Sequence, residues 1–127
     1  MPKLIAIIDD EAEMEFFYSL VFEKALKKGL IKLKFFQDSR DFFEWFIANE
    51  PDLILSDINM PYISGPELSR TVRQMGRMMP IYFVSGFEEN DYQDVLSEID
   101  VCRFLTKPLN PTRFHGLLEL DLNLPLA

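Results

Sequence analysis

Cysteine is almost absent from this sequence. Cys102 is the only one among 127 residues, so neither a disulfide within the chain nor a multi-cysteine metal site can form. A thiol inside an apolar strand behaves as a small buried hydrophobe, and a reducing, cytoplasmic compartment is the expected setting. Basic residues are also scarce: 13 Lys and Arg face 21 Asp and Glu, for a net charge of −8 and a pI near 4.6. An acidic surface cannot track a phosphate backbone, so nucleic acid is not expected as a direct partner. No hydrophobic run approaches the roughly 20 residues that span a bilayer. The N-terminus enters a strand almost at once and lacks a signal-peptide pattern, so no membrane association is expected. Linkers, repeats and low-complexity stretches are missing too. With 48% hydrophobic residues, enough for one core, residues 1–127 read as a single domain.

What is present is a regular alternation of strands and helices. Leu4–Ile8, Leu53–Ser56 and Ile81–Val84 are nearly continuous apolar runs, as expected of strands covered on both faces. Ile31–Phe36 interleaves Lys32 and Lys34 and suits a place nearer a sheet edge, and Val101–Thr106 supplies a fifth strand. Helices are expected from Glu11 to Lys28, ended by Gly29, and from Asp38 or Ser39 to Ala48 or Asn49, before Pro51. Others are expected from Ser64-Gly65-Pro66-Glu67 to about Met78, over Asn90–Ile99, and from Asn110-Pro111 through about Leu120. This order implies an α/β sandwich built on a parallel sheet.

Four of the apolar runs end in chemistry-bearing residues: Asp9-Asp10-Glu11, Asp57, Ser85 and Lys107-Pro108. Ligands of open parallel sheets bind beyond the carboxyl ends of the strands, so these groups are expected to converge. Taken singly, each has a plain explanation as a cap, a solvated turn or a surface charge. Only convergence accounts for all of them together. Two carboxylates about 4 Å apart repel by roughly 4 kcal/mol at an effective dielectric near 20. Asp9, Asp10 and Asp57 therefore need more positive charge than Lys107 supplies, and a hard divalent ion such as Mg2+, with Mn2+ as a substitute, fits. Metal, lysine and the Ser85 hydroxyl around one further carboxylate make a phosphoryl-transfer site, with Asp57 as the nucleophile.

Asp9-Asp10-Glu11, Asp57-Ile-Asn-Met-Pro61, Gly65, Ser85 and Thr106-Lys107-Pro108 resemble the receiver domain of two-component response regulators, in order and spacing, from Leu4 to about Leu120. The resemblance implies a flavodoxin-like (βα)5 doubly wound fold with strand order 2-1-3-4-5. It implies that Asp57 accepts phosphate from a histidine kinase, a histidine phosphotransfer protein or a small phosphodonor. Mg2+ would be held by Asp10, Asp57 and the backbone carbonyl of Asn59, with Asp9 acting through metal-bound water. Lys107 and Ser85 would contact the phosphoryl group, and Phe104 would turn inward with Ser85. The output would be protein binding through the face of the fourth helix, fifth strand and fifth helix. Such a switch catalyses only its own phosphorylation and dephosphorylation. Within the family, the alternatives are a phosphorelay shuttle or a receiver excised from a larger regulator or hybrid kinase. A metal-dependent phosphatase would want a second acid two residues after the nucleophile, where Asn59 stands. Flavin binding would need a hydroxyl- and glycine-rich loop in place of Asp9-Asp10-Glu11.

Several positions depart from the family pattern. Ser64 replaces an acid but can still cap, Gly86 stands where alanine is common, and Ser97–Cys102 lacks the usual Gly-Ala turn. Phe87 occupies the place facing the water that attacks the phosphoryl group; with Asn59, it is expected to tune dephosphorylation, slowing it. Two surfaces invite partners. The first helix carries more apolar residues than one stripe needs, and some of Phe16, Tyr18 or Phe22 are expected to be exposed near the phosphodonor's docking site. In the tail, Leu118, Leu120, Leu122, Leu124 and Leu126 alternate with polar residues and Pro125. Either the last helix frays, or residues 121–127 lie extended against the domain, a second subunit or a partner.

Overall fold

A computed structural model describes residues 2–86 and 103–124 of the chain. The helix expected over Asn90–Ile99, together with Phe87, Val101, Cys102 and residues 125–127, lies outside the described residues. Five strands, β1 (Lys3–Ile8), β2 (Ile31–Phe36), β3 (Leu53–Asp57), β4 (Ile81–Ser85) and β5 (Arg103–Thr106), form one sheet in the order β2-β1-β3-β4-β5. Every pairing is parallel, with Ile7 opposite Phe35 and Leu55, Asp57 opposite Val84, and Ser85 opposite Thr106. This is the flavodoxin-like doubly wound order, with β2 and its exposed Lys32 and Lys34 at one edge.

The pleat divides the interior into two cores. Ile5, Ile7, Leu53, Leu55, Tyr82 and Val84 face α1 (Glu13–Val21), α2 (Glu23–Lys27) and α5 (Pro111–Leu122), meeting Tyr18, Phe22, Phe114, Leu118 and Leu122. Ala6, Ile8, Ile54, Ile81 and Phe83 face α3 (Ser39–Phe46) and α4 (Gly65–Gln74), meeting Phe42, Phe46, Leu68 and Val72. Burying one large apolar side chain is worth about 1.5–3 kcal/mol, so these two layers dominate the fold's stability.

The helix expected to reach Ala48 or Asn49 stops at Phe46, and three larger differences follow. The helix expected from Glu11 to Lys28 is interrupted at Phe22, whose φ of −98° and ψ of 12° leave the helical region. Phe22 is buried beside Phe114, at 5.4 Å between ring centroids, and Tyr18, at 6.4 Å. At the interruption, His115 Nε2 donates to the Val21 carbonyl at 2.7 Å, tying α5 to the break. Beyond the interruption, α2 ends as expected before Gly29, whose φ is 70°. The helix expected to reach Met78 stops at Gln74, because Gly76 takes φ 78° while its N–H and that of Arg77 close onto Arg73 and Val72.

The last helix runs further than expected, to Leu122. Asp121 and Leu122 are therefore helical, not the start of an extended tail. Asn123, in the left-handed region, ends α5, and the Leu124 N–H closes onto Glu119 O at 3.3 Å. The alternation of leucines contains an i, i+4 pair: Leu118 and Leu122 enter the core, and Leu120 between them is 74% exposed.

Candidate functional site

The carboxyl edge of the sheet is assembled by backbone bonds before any side chain contributes. Asp9, just past β1, donates its N–H to the Phe36 carbonyl at 3.0 Å. Its Oδ1 accepts the Glu11 N–H at 3.0 Å, turning the chain toward α1. Asp57 closes β3, and its Oδ1 accepts the Ile58 N–H at 2.8 Å. Lys107 follows β5, and its N–H donates to the Ser85 carbonyl at 2.7 Å, so the lysine stem is carried by the last residue of β4.

The side chains then meet. Lys107 Nζ lies 3.2 Å from Asp9 Oδ2, 3.3 Å from Glu11 Oε1 and 3.6 Å from Asp57 Oδ2. One carboxylate oxygen each from Asp9, Asp10 and Asp57 falls within 4.8 Å of the others. Asp9 and Asp57 are buried and Asp10 is exposed, so the cluster opens to water on one side. Burial pushes the Asp57 carboxyl up to about 6; Lys107 opposes the rise, while Asp9 and Asp10 add to it. Asp9 is likewise raised, chiefly by burial. Burial pulls the Lys107 ammonium down, but Asp9, Asp57 and Glu11 outweigh it and hold it above its ordinary value. These are the properties of a hard-cation site: oxygen donors only, excess negative charge and one open side.

The loop after β3 is shaped by a close approach. A Cβ on Gly65 would stand 2.5 Å from the Asp57 carbonyl oxygen and 3.0 Å from Ile58 Cα, so only glycine fits there. The Gly65 N–H donates to the Ile58 carbonyl at 2.8 Å, and Ser64 Oγ caps α4 by accepting the Glu67 N–H. Between them, Ile63 N–H reaches Pro61 O at 2.8 Å around Tyr62, whose φ is 71°. That tight turn strains a bulky residue. Arg40, forked onto Asp38, lies over the Tyr62 ring at 3.5 Å from its centroid.

The expected residues are thus brought together unevenly. Asp9, Asp10, Asp57 and Lys107 converge, and Ser85 is buried at the end of β4 beside them. Asn59 is exposed in the loop after Asp57, and Phe104 is half-buried on β5 against the core of α3 and α4. Phe87 is outside the described residues. On α1, Phe16 is 69% exposed and Leu20 55%, whereas Tyr18 and Phe22 are buried. Two further residues join the acids. Glu11 shares the ammonium of Lys107, and its place two residues after Asp9 was the available signal. Tyr18 has its phenol pushed upward by burial and by the charges of Asp9 and Asp57, which places it within the field of the site.

Residues 5–119 match the family model for the response regulator receiver domain. The chain belongs to that family. Receiver domains are signalling switches of two-component systems; a phosphoacceptor aspartate and Mg2+ binding at an acidic pocket are general to them. They interact with histidine kinases or phosphotransfer proteins and with output domains. Over 122 residues the chain is 30% identical to the cyclic di-GMP phosphodiesterase response regulator RpfG of Xanthomonas campestris, covering 91% of this chain and 32% of that protein. With the alkaline phosphatase synthesis transcriptional regulatory protein PhoP of Bacillus subtilis it shares 26% identity, over 94% of this chain and 48% of PhoP. The receiver thus spans a third to a half of these two relatives. Among solved structures, the signal receiver domain of an HD domain-containing protein from Pseudomonas fluorescens superposes with a TM-score of 0.86 at 17% identity, covering 97% of this chain and 96% of that one. Chemotaxis protein CheY4 of Vibrio cholerae gives 0.83 at 20% identity, over 95% and 99% of the two chains. At such identities the likeness is one of fold. No helix among the described residues is long and apolar enough to cross a membrane.

Proposed function

We propose that this receiver takes a phosphoryl group onto Asp57 and uses the resulting charge to reset a protein-binding face. The observation that carries the reading is the shared lysine. Lys107 Nζ stands within 3.2–3.6 Å of Asp9, Glu11 and Asp57 at the carboxyl edge of the sheet, where three aspartates can gather around a cation. An Asp57 oxygen attacks the phosphorus of a phosphohistidine or an acyl phosphate. The new O–P bond forms as the bond to the donor's nitrogen or oxygen breaks. Asp57 Oδ1 is already engaged by the Ile58 N–H, so Oδ2, on the lysine side, is the attacking oxygen.

Asp10, Asp57 and the Asn59 carbonyl are the groups that would hold Mg2+, with Asp9 acting through metal-bound water, and the ion would offset charge on the phosphoryl oxygens. Lys107 neutralises a further oxygen, and the Ser85 hydroxyl donates a hydrogen bond to another. Phosphorylation adds close to two negative charges. Shifting a switch from 1:99 to 99:1 takes about 5.5 kcal/mol, and a few charge-assisted hydrogen bonds of roughly 1.5–3 kcal/mol each are of that order. Phe104 on β5 responds with Ser85, and the face containing β5 and α5 delivers the output. A phosphodonor protein docks along α1, where Phe16 and Leu20 stand exposed one turn apart. Beside them lies an apolar groove of about 470 Å³ lined by Phe17, Val21, Pro111 and His115.

The test is mass spectrometry after acetyl phosphate and Mg2+. One covalent phosphate on the wild type, absent from Asp57→Ala, is expected. An adduct that survives in Asp57→Ala, or no adduct on the wild type with Mg2+ present, would overturn the assignment.

A further inference from the structure

Lys107 serves three carboxylates, and they are not equivalent. Asp9 and Asp57 belong to the set whose oxygens gather within 4.8 Å and suit a cation; Glu11, at 3.3 Å from the same ammonium, does not. A dication engaging Asp9 and Asp57 removes the charge that holds the ammonium there and repels it directly. One carboxylate is then left for it.

We infer that Glu11 is a positioning residue for Lys107, a second berth that keeps the ammonium beside the site while a metal ion engages Asp57 directly and Asp9 through water. The geometry suits that role at both ends. The Glu11 backbone is fixed by its N–H on Asp9 Oδ1 and by its carbonyl, which accepts the Met14 N–H at 3.0 Å. Its side chain is about half exposed and can follow the ammonium outward. The Lys107 backbone is pinned to Ser85, so only the flexible stem has to move. Without Glu11, an incoming cation displaces the ammonium into water with no partner in return. The wild-type arrangement therefore eases metal binding and leaves Lys107 within reach of a phosphoryl group on Asp57.

This inference rests on the phosphoacceptor reading for its purpose, but its test needs no phosphoryl donor. Mg2+ affinity is measured by calorimetry at fixed ionic strength for wild type, Glu11→Gln, Lys107→Met and the double variant. Glu11→Gln should weaken Mg2+ binding by about twofold, because the pair is already formed without metal and only its strengthening as Asp9 and Asp57 are engaged contributes, and the loss should vanish when Lys107 is already methionine. An equal loss in both backgrounds would mean that Glu11 acts only as a distant charge, and no loss in either would mean that it does nothing; both overturn the inference.

Removing Lys107 can unfold the domain, so exchange of the Lys107 ammonium protons at saturating Mg2+ is read by nitrogen-resolved NMR as a second measure. About tenfold faster exchange in Glu11→Gln than in wild type is expected, and equal rates would refute the berth. A protein that never forms a phosphoryl adduct yet gives this coupling would refute the phosphoacceptor reading alone.

Discussion

Replacing Asp57 with asparagine should stabilise the domain, and the gain should depend on pH. Asp57 is 8% exposed and its carboxyl is pushed up to about 6 from an ordinary 3.8. The folded state therefore binds that proton more tightly than the unfolded chain, and stability falls as pH rises through the window from 3.8 to about 6. At 1.36 kcal/mol per pH unit, roughly two units correspond to about 3 kcal/mol of destabilisation above pH 6. Asparagine removes that charge and can still accept the Ile58 N–H, although Lys107 loses one of its partners. A gain of about 2–3 kcal/mol at pH 7.5 follows, or some 8–12 °C in Tm at roughly 4 °C per kcal/mol for a domain of this size.

Urea unfolding at pH 7.5 and pH 4.5 reads the effect, which should shrink strongly at the lower pH. Mg2+ should narrow the difference, because ten times its Kd stabilises the wild type by about 1.4 kcal/mol and the variant by less. A variant no more stable than wild type at pH 7.5, or a gain constant across pH, would refute burial as the origin of the shifted carboxyl.

Two further outcomes concern shape. Gly65→Ala forces a Cβ to within 2.5 Å of backbone and should cost about 1–3 kcal/mol by urea unfolding, with slower phosphorylation by acetyl phosphate. Leu122→Ala should cost about 2–5 kcal/mol, as for a core leucine, whereas Leu120→Ala should stay within about 0.5 kcal/mol. Equal effects at the two positions would contradict a helix running to Leu122.

The strand framework was legible because both-face burial writes itself as continuous apolar runs, and because all four functional strand ends fall just after such runs. The helix boundaries were less so. Phe22 carries no helix-breaking signal of its own; the interruption arises from packing against Phe114 and from the His115 bond to Val21, a residue 94 positions away in the chain. Gly76 did carry a signal, but Arg77 and Met78 after it continued a helical composition. The leucine alternation misled because period two and i, i+4 share every second position: residues 118 and 122 satisfy both. Within the site, Asp9, Asp10, Asp57 and Lys107 were readable from position alone. Glu11 was readable as one of the converging acids, but not its pairing with Lys107, which spans 96 positions and depends on the turn that Asp9 imposes.

The fit between Gly65 and the Asp57 backbone has a mechanical meaning. With no side chain between them, and with the Gly65 N–H held by Ile58, the start of α4 and the end of β3 move as one body. In a lever, one arm must be anchored for the other to swing. If Asp57 takes the phosphoryl group as proposed, β3 and α4 form the anchored arm, and a force generated at Asp57 would not be spent on shifting α4. On the phosphoacceptor reading it would be delivered across the sheet toward β4 and β5, where Ser85 and Lys107 are joined to each other by a backbone bond. On that reading the glycine sets the direction in which the signal would travel.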